Sequence, residues 1–126
     1  MTKVLLVDDS AVMRKIIQRN IKETGLIVDE YVEAGDGKQA LEKVSDSGEL
    51  DLILLDWNMP NMSGIEFVRT LRSLNMPKRI PVVMVTTEGS DSKVSEAKES
   101  GADGYLTKPF TADQLRDTLG NYLLVE

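Results

Sequence analysis

The chain has 126 residues, of which 21 are acidic and 15 are basic, and its formal net charge is −6. This length fits one domain over residues 1–126, and the negative charge argues against the phosphate backbone of nucleic acid as a direct partner. The chain contains no cysteine and no histidine, which excludes disulfides, thiol catalysis, imidazole bases and histidine-ligated zinc, and leaves oxygen ligands that suit hard cations such as Mg²⁺.

The first predicted strand is the apolar run of residues 4–7, and Asp8 and Asp9 follow it at once. A run without polar alternation is typical of a strand buried on both faces of a parallel sheet. Two adjacent carboxylates disfavour each other's ionisation unless a cation or hydrogen-bond donors compensate. A simpler interpretation is that they cap the next helix. That helix should end near Gly25 and bury five apolar side chains at helical spacing: Val12, Met13, Ile16, Ile17 and Ile21.

The middle of the chain contains one weak strand and one strong strand. Residues 27–34 predict the weak strand, which we expect at an edge of the sheet. A short second helix follows, with three apolar side chains before Ser47: Ala40, Leu41 and Val44. Residues 52–55 are wholly apolar and end at Asp56, as in the first strand, which predicts a place at the centre of the sheet.

Two more strands and three more helices complete the alternation. Residues 80–87 predict the fourth strand, which ends in Thr86 and Thr87, and residues 104–110 predict the fifth, which contains Lys108. The third helix is predicted from Ser63 as its cap and from Ile65, Val68 and Leu71, and the last from Thr111 as its cap and from Leu115, Leu119, Tyr122 and Leu123. The alternation predicts an α/β fold with a doubly wound, mainly parallel sheet.

Polar side chains follow four of these strands. In open parallel sheets, ligands bind beyond the carboxyl ends of the strands, where the strand order reverses. If strands one and three are neighbours at that point, Asp8, Asp9 and Asp56 converge, and Thr86 and Lys108 border the same cleft. Three carboxylates would then be balanced by one lysine and one Mg²⁺. Taken singly, the threonine could be an ordinary strand-end residue and the lysine a solvated surface residue.

Four segments carry a resemblance to a known family: VLLVDDS, LLDWNMPNMSG, VVMVTTE and GYLTKPF. They resemble the motifs of receiver domains of two-component response regulators, over essentially the whole chain, and are most similar to the single-domain chemotaxis regulators. The resemblance implies a flavodoxin-like (βα)5 fold with strand order 2-1-3-4-5. It also implies that Asp56 accepts a phosphoryl group from a phosphohistidine of a CheA-like histidine kinase. A carboxylate needs no base near neutral pH, which suits a chain without histidine.

The resemblance further implies a cofactor, Mg²⁺, with Mn²⁺ as an alternative. Asp9 would ligate the ion directly and Asp8 would act through water. The carboxylate of Asp56 and the backbone carbonyl of Asn58 would complete the protein ligands. All of these donors are oxygens, the ligands that Mg²⁺ prefers.

Four further roles are implied by the same resemblance. Lys108 would pair with a phosphoryl oxygen, and the Thr86 hydroxyl would donate to another. Tyr105 would act as a rotamer switch, besides being a half-buried strand aromatic. Asn58 and Glu88 would tune the lifetime of the phosphoryl group. The resemblance also suggests a cis peptide bond after Lys108.

The fourth helix, residues 91–100, is expected to carry the output. Its only apolar side chains are those of Val94 and Ala97, so it should be easier to shift than the first helix. The expected output face is helix four, strand five and helix five. Its partner would be a flagellar motor switch protein or another protein effector, and a phosphatase could act on the site. The closest alternative is a single-domain phosphorelay intermediate.

Two other functional classes fit less well. Aspartate-nucleophile phosphohydrolases resemble D-x-D, but here the second acid is replaced by Asn58, an amide that cannot serve as a general acid. A flavodoxin-type cofactor binder needs a phosphate-cradling loop after strand one, where this chain has carboxylates. No apolar run approaches the ~18 residues of a membrane span. We therefore expect a soluble, cytoplasmic, monomeric protein that catalyses its own phosphorylation and dephosphorylation without turning over a small molecule.

Overall fold

Five strands alternate with five helices in the computed structural model, which describes residues 2–124. The strands are β1 (Lys3–Val7), β2 (Glu30–Ala34), β3 (Leu52–Leu55), β4 (Val82–Thr86) and β5 (Gly104–Thr107). The helices are α1 (Ala11–Glu23), α2 (Gly37–Asp46), α3 (Gly64–Ser73), α4 (Asp91–Ser100) and α5 (Ala112–Leu119). No helix among the described residues is long and apolar enough to cross a membrane.

The strands form one parallel sheet in the order β2-β1-β3-β4-β5, which confirms the predicted fold class. The central strands β3 and β4 are buried along their whole length, and only the first residue of β1 is not fully buried. Helices cover both faces of the sheet, so the strands in its middle carry apolar side chains on both faces. The expected edge position of β2 is confirmed, and β5 forms the other edge.

The sheet separates two hydrophobic cores, because successive side chains of a strand point to opposite faces. On one face, Leu5 of β1 packs with side chains of α2, α3 and α4, including Phe67. On the other face, Leu6 packs with side chains of α1 and α5, including Ile21 and Leu115. Neighbouring residues of one strand therefore stabilise different layers of the molecule.

The prediction that α1 buries five apolar side chains is wrong. Only Ile17 and Ile21 are buried, whereas Val12 is 68% exposed and Ile16 is 36% exposed. Met13 is partly buried against the same core. Residues four apart on a helix share a stripe, and the stripe of Val12 and Ile16 is rotated about 100° from that of Ile17 and Ile21. The sheet and α5 cover only the second stripe.

Several predicted ends are corrected by one or a few residues. The weak strand begins at Glu30 instead of residue 27: Glu30 pairs with Lys3, the first residue of β1, whereas the backbone N–H of Ile27 donates to the carbonyl of Leu124. The last helix ends at Leu119, and Leu123 reaches the core from the turn that follows. The predicted caps are confirmed: Ser63 and Thr111 each accept a hydrogen bond in a capping box.

Candidate functional site

Three carboxylates meet at the carboxyl ends of β1 and β3. Val7 and Leu55 are paired in the sheet, so the residues that follow them lie side by side. The backbone N–H of Asp56 donates to the Val7 carbonyl at 2.9 Å, which extends that pairing by one step. Carboxylate oxygens of Asp8, Asp9 and Asp56 all lie within 4.8 Å of one another. The structure thus brings together the three aspartates that the sequence placed at one edge.

The first two aspartates do not cap α1. Ser10 is the cap, and its hydroxyl accepts from the N–H of Met13 at 3.1 Å. Asp8 is 4% exposed, and its Oδ1 accepts from the N–H of Ser10 at 2.9 Å. Its Oδ2 accepts a hydrogen bond from Lys108 Nζ. The exposed carboxylate of Asp9 lies beside those of Asp8 and Asp56. The simpler helix-cap interpretation therefore does not hold for these residues.

Lys108 is part of the same cluster and not a solvated surface residue. Its Nζ lies 3.0 Å from Asp8 Oδ2 and 3.6 Å from Asp56 Oδ2, and its side chain is 13% exposed. It follows β5 directly, and its backbone N–H donates to the carbonyl of Thr86 at 2.8 Å. The peptide bond between Lys108 and Pro109 is cis, as the resemblance suggested. One ammonium is thus shared between two carboxylates.

The donor set of this cluster fits a divalent hard cation. Three carboxylates and the Lys108 ammonium together carry a charge of about −2, which one Mg²⁺ would neutralise. The donors are all oxygens, and Mg²⁺ is commonly held by one or two carboxylates while it keeps several waters. Asp9 is exposed and Asp56 is half-buried, so the open side of the cluster faces water.

Thr86, Glu88 and Tyr105 form a second group at the ends of β4 and β5. Thr86 is fully buried, and its hydroxyl accepts from the N–H of Glu88 at 3.3 Å. The hydroxyl of the half-buried Tyr105 donates to the carbonyl of Glu88. Burial raises the pKa of Tyr105 above its ordinary value, and the carboxylates of Glu88 and Asp56 raise this pKa further. The carboxylate of Glu88 accepts from Asn58 Nδ2 at 2.9 Å, which links the β3–α3 and β4–α4 loops.

Sequence reasoning missed three side chains that support this region. Arg14 of α1 donates to the carbonyl of Asp8, and its Nε pairs with Glu33 of β2 at 2.9 Å. Lys93 of α4 places its Nζ 4.6 Å from the ring centre of Trp57. Asp36 is buried beside the β3–α3 loop. Charged residues on helices are usually exposed to solvent, so the sequence offered no signal for the first two. At Asp36, the glycines on either side, Gly35 and Gly37, indicated only a turn.

Comparison with known proteins agrees with the fold and the motifs. The family model described as the response regulator receiver domain matches residues 4–120. The chain is 38% identical over 117 residues to the chemotaxis protein CheY1 of Helicobacter pylori strain J99, covering 93% of each chain. It is 40% identical over 117 residues to the chemotaxis protein CheY of Pseudomonas aeruginosa, covering 93% of this chain and 92% of that one. The solved structure of chemotaxis protein CheY4 of Vibrio cholerae superposes with a TM-score of 0.82 at 41% identity, covering 98% of this chain and 99% of that chain.

Proposed function

The chain belongs to the family of response regulator receiver domains, and on that premise we propose that Asp56 accepts a phosphoryl group from a phosphohistidine of a histidine kinase in a Mg²⁺-dependent reaction. The observation that carries the proposal is the placement of the Asp56 carboxylate. It lies among two further carboxylates and 3.6 Å from the ammonium of Lys108. A nucleophilic oxygen, the oxygen donors for a cation and a fixed positive charge thus share one cleft.

Four residues would hold the metal ion, which is Mg²⁺, with Mn²⁺ as an alternative. Asp9 and Asp56 would provide carboxylate ligands, Asp8 would act through water, and Asn58 would provide its backbone carbonyl. When bound, the ion supplies positive charge to the phosphoryl oxygens, where charge must be neutralised during transfer. The convergence of the three carboxylates and their net charge support this assignment.

The transfer itself uses Asp56 and Lys108. An oxygen of the ionised Asp56 carboxylate attacks phosphorus, the P–N bond to the donor histidine breaks, and its electron pair stays on that nitrogen. No base is needed, because a carboxylate nucleophile, unlike a hydroxyl, has no proton to lose as it attacks. Lys108 already lies beside Asp56, so its ammonium can pair with a phosphoryl oxygen with little movement.

Thr86 and Tyr105 form the proposed switch. Phosphorylation adds about one negative charge at Asp56. The Thr86 hydroxyl, which now accepts from the Glu88 N–H, would turn to donate to a phosphoryl oxygen. That movement releases the β4–α4 loop, whose Glu88 carbonyl holds the Tyr105 hydroxyl, and Tyr105 would fill the space that Thr86 leaves. The face of α4, β5 and α5 would then be remodelled for a partner.

Asn58 and Glu88 are proposed to tune the lifetime of the phosphoryl group. Their side chains are bonded to each other at 2.9 Å, and each follows a strand that ends at the site. Together they limit the approach of water to Asp56 from the β3–α3 and β4–α4 loops.

The proposed partners follow from the similarity to chemotaxis proteins. We propose a CheA-like kinase as the phosphoryl donor, a flagellar motor switch protein or another protein effector as the target, and a phosphatase that shortens the signal. The protein would act as a monomer in the cytoplasm, with no contact to nucleic acid or membrane. A phosphorelay intermediate would instead pass the phosphoryl group on to a second histidine, and transfer from the phosphorylated protein to such a histidine distinguishes the two.

Incubation with acetyl phosphate tests the proposal without a kinase. With Mg²⁺ the protein should gain one phosphoryl group on Asp56, since an arranged site needs only a good leaving group. Asp56→Asn should lose the label, while Asp46→Asn, which changes an exposed acid on α2, should keep it. Mass spectrometry after borohydride trapping locates the label. A label on Ser10 or Thr87, or labelling that ignores Mg²⁺, would show the proposal to be wrong.

A further inference from the structure

Asp36, between β2 and α2, carries a buried carboxylate whose two oxygens have different partners. The residue is 5% exposed. Its Oδ1 accepts from the N–H of Gln39 at 2.9 Å, which caps α2. Its Oδ2 accepts from Asn61 Nδ2 at 2.8 Å, across to the β3–α3 loop. Capping uses only Oδ1, and the buried Oδ2 is satisfied by a residue from a different loop.

The partner, Asn61, has a left-handed backbone conformation at the tip of the β3–α3 loop. Its φ is 65°, in a region that most residues with a Cβ rarely adopt and in which Asn is several-fold enriched. Next to it, the carbonyl of Met62 accepts from the N–H of Gly37 at 3.2 Å. A Cβ on Gly37 would come within 2.6 Å of Met62 Cγ, so the two loops touch with no space between them. The β2–α2 loop therefore holds the tip of the β3–α3 loop through two adjacent residues.

The same loop carries the residues of the proposed metal site. Its base is closed by the bond from the Gly64 N–H to the Trp57 carbonyl at 2.9 Å, directly after Asp56. A Cβ on Gly64 would clash with the Asp56 carbonyl oxygen, so the base of the loop packs directly against the Asp56 backbone. Asn58 lies between this base and the tip at Asn61. Its position is thus set by the base, by its bond to Glu88 and by the attachment of the tip to Asp36.

The buried charge of Asp36 strengthens the link. Both of its hydrogen-bond donors are neutral groups, and bonds to a charged acceptor are stronger than those between neutral groups. The Gln39 N–H, followed by the Asn61 amide, holds the pKa of Asp36 below its ordinary value despite burial. The carboxylate therefore stays ionised at neutral pH and keeps the Asn61 side chain in place.

We propose that Asp36 is a positioning residue for the metal site: through Asn61 it fixes the β3–α3 loop, and with it the Asn58 backbone carbonyl, and so sets the affinity for Mg²⁺. The inference rests on the proposed function, because that carbonyl is assigned there as a ligand. Asp36 itself touches neither the ion nor the phosphoryl group.

Two substitutions separate this role from helix capping. Asp36→Ser keeps a good cap residue for α2 but is too short to reach Asn61. Asn61→Gly removes the amide and keeps the left-handed backbone, and because Asn61 is exposed this variant should fold. We expect each to weaken Mg²⁺ binding by a few-fold, which is less than the roughly tenfold effect of losing a direct partner of a metal ligand, because neither side chain bonds Asn58 itself. The double variant should bind no more weakly than the single ones, because both remove one interaction.

Val44→Ala is the matched control, since it destabilises α2 without touching Asp36. It should lower the melting temperature and leave Mg²⁺ affinity unchanged. Affinity is measured by Trp57 emission and by calorimetry, and amide exchange of residues 57–63 should become faster in the two loop variants only. Wild-type Mg²⁺ affinity in Asp36→Ser and Asn61→Gly would overturn the inference and leave the proposed function intact. Absence of Mg²⁺ binding by the wild-type protein would overturn the proposed metal site, and this inference with it.

Discussion

At the scale of single residues, the acidic cluster is held together by two cationic side chains with different tasks. Lys108 lies between Asp8 and Asp56 and offsets part of their repulsion. Arg14 instead donates to the main-chain carbonyl of Asp8 and so holds the loop that carries the acids. Among the ion pairs of the described residues, the exposed Asp9 pairs with neither Lys108 nor Arg14. Its carboxylate is therefore available to a bound cation.

Replacing Asp9 with alanine should have opposite effects on metal binding and on stability. We expect Asp9→Ala to abolish the response of Trp57 emission to millimolar Mg²⁺ and to raise the melting temperature of the metal-free protein, because like-charge repulsion falls. Trp57 reports on the site because it follows Asp56 and is 7% exposed. Fluorescence titration and thermal melts at low salt measure both effects.

Asp46→Ala is the control for this experiment, since it removes an equal charge from an exposed position on α2. Its Mg²⁺ response should equal that of the wild-type protein. A full Mg²⁺ response in Asp9→Ala, or no response in the folded wild-type protein, would contradict the three-aspartate site.

At the scale of elements, α4 is anchored more weakly than α3. In α3, four sizeable side chains are buried, those of Ile65, Phe67, Val68 and Leu71. Each contributes about 1.5–3 kcal/mol when fully buried. In α4 only Ala97 is buried, and Val94 is half-buried. The sequence predicted this contrast between α4 and α1. Because α1 buries only two side chains, the contrast holds more clearly between α4 and α3.

Amide exchange should therefore be faster in α4 than in α3, and it should respond to a phosphoryl mimic. Beryllofluoride with Mg²⁺ is expected to change exchange in residues 87–110, which include the Glu88 carbonyl that holds Tyr105. Asp56→Asn, which cannot form the mimic, serves as the control and should show no change. Changes confined to α1 and β2 would place the output face elsewhere.

At the scale of the whole molecule, the fold raises the pKa of all three tyrosines. Burial raises the pKa of Tyr31 to about 12. Burial is also the main cause for Tyr105 and Tyr122, whose pKa values lie above the ordinary value. The folded state thus favours the protonated phenols, whereas the tyrosines of the unfolded chain ionise near pH 10. Below about pH 10 the three phenols make their full contribution to the free energy of unfolding. This contribution is lost as pH rises through their raised pKa values.

The free energy of unfolding should consequently fall between about pH 10 and pH 12, and Tyr31→Phe should remove the largest part of that fall. Urea denaturation across this range measures the fall, and phenolate absorbance gives the native pKa values. Tyr122→Phe is a comparison with a smaller expected effect, because the nearby Arg79 opposes the rise. If phenolate absorbance gives an ordinary pKa for every tyrosine of the folded protein, burial does not favour the protonated phenols and the predicted loss of stability is wrong.

Local patterns in the sequence predicted the strands, the helices and the side chains at the strand ends. Apolar runs without alternation identified the buried strands β1 and β3, and serine and threonine identified the starts of α3 and α5. Asp8, Asp9, Asp56, Thr86 and Lys108 stood out because each follows or ends a strand, where a parallel sheet places its ligands. The strand order came from the family resemblance, since periodicity along a chain contains no information about which strands are neighbours.

Tertiary packing selects which apolar stripe of α1 is buried and which distant groups meet. Ile16 and Ile17 are the same residue type, yet only Ile17 is buried, because the sheet and α5 pack against its side of the helix. The contact of Asp36 with Asn61 spans 25 residues, and that of Lys108 with Asp8 spans 100. Such pairs have no local signal, because their distance depends on how the strands are ordered and how the loops between them close. Chemistry near a strand end can therefore be predicted from the chain, whereas its supporting contacts are set by the packing of the whole molecule.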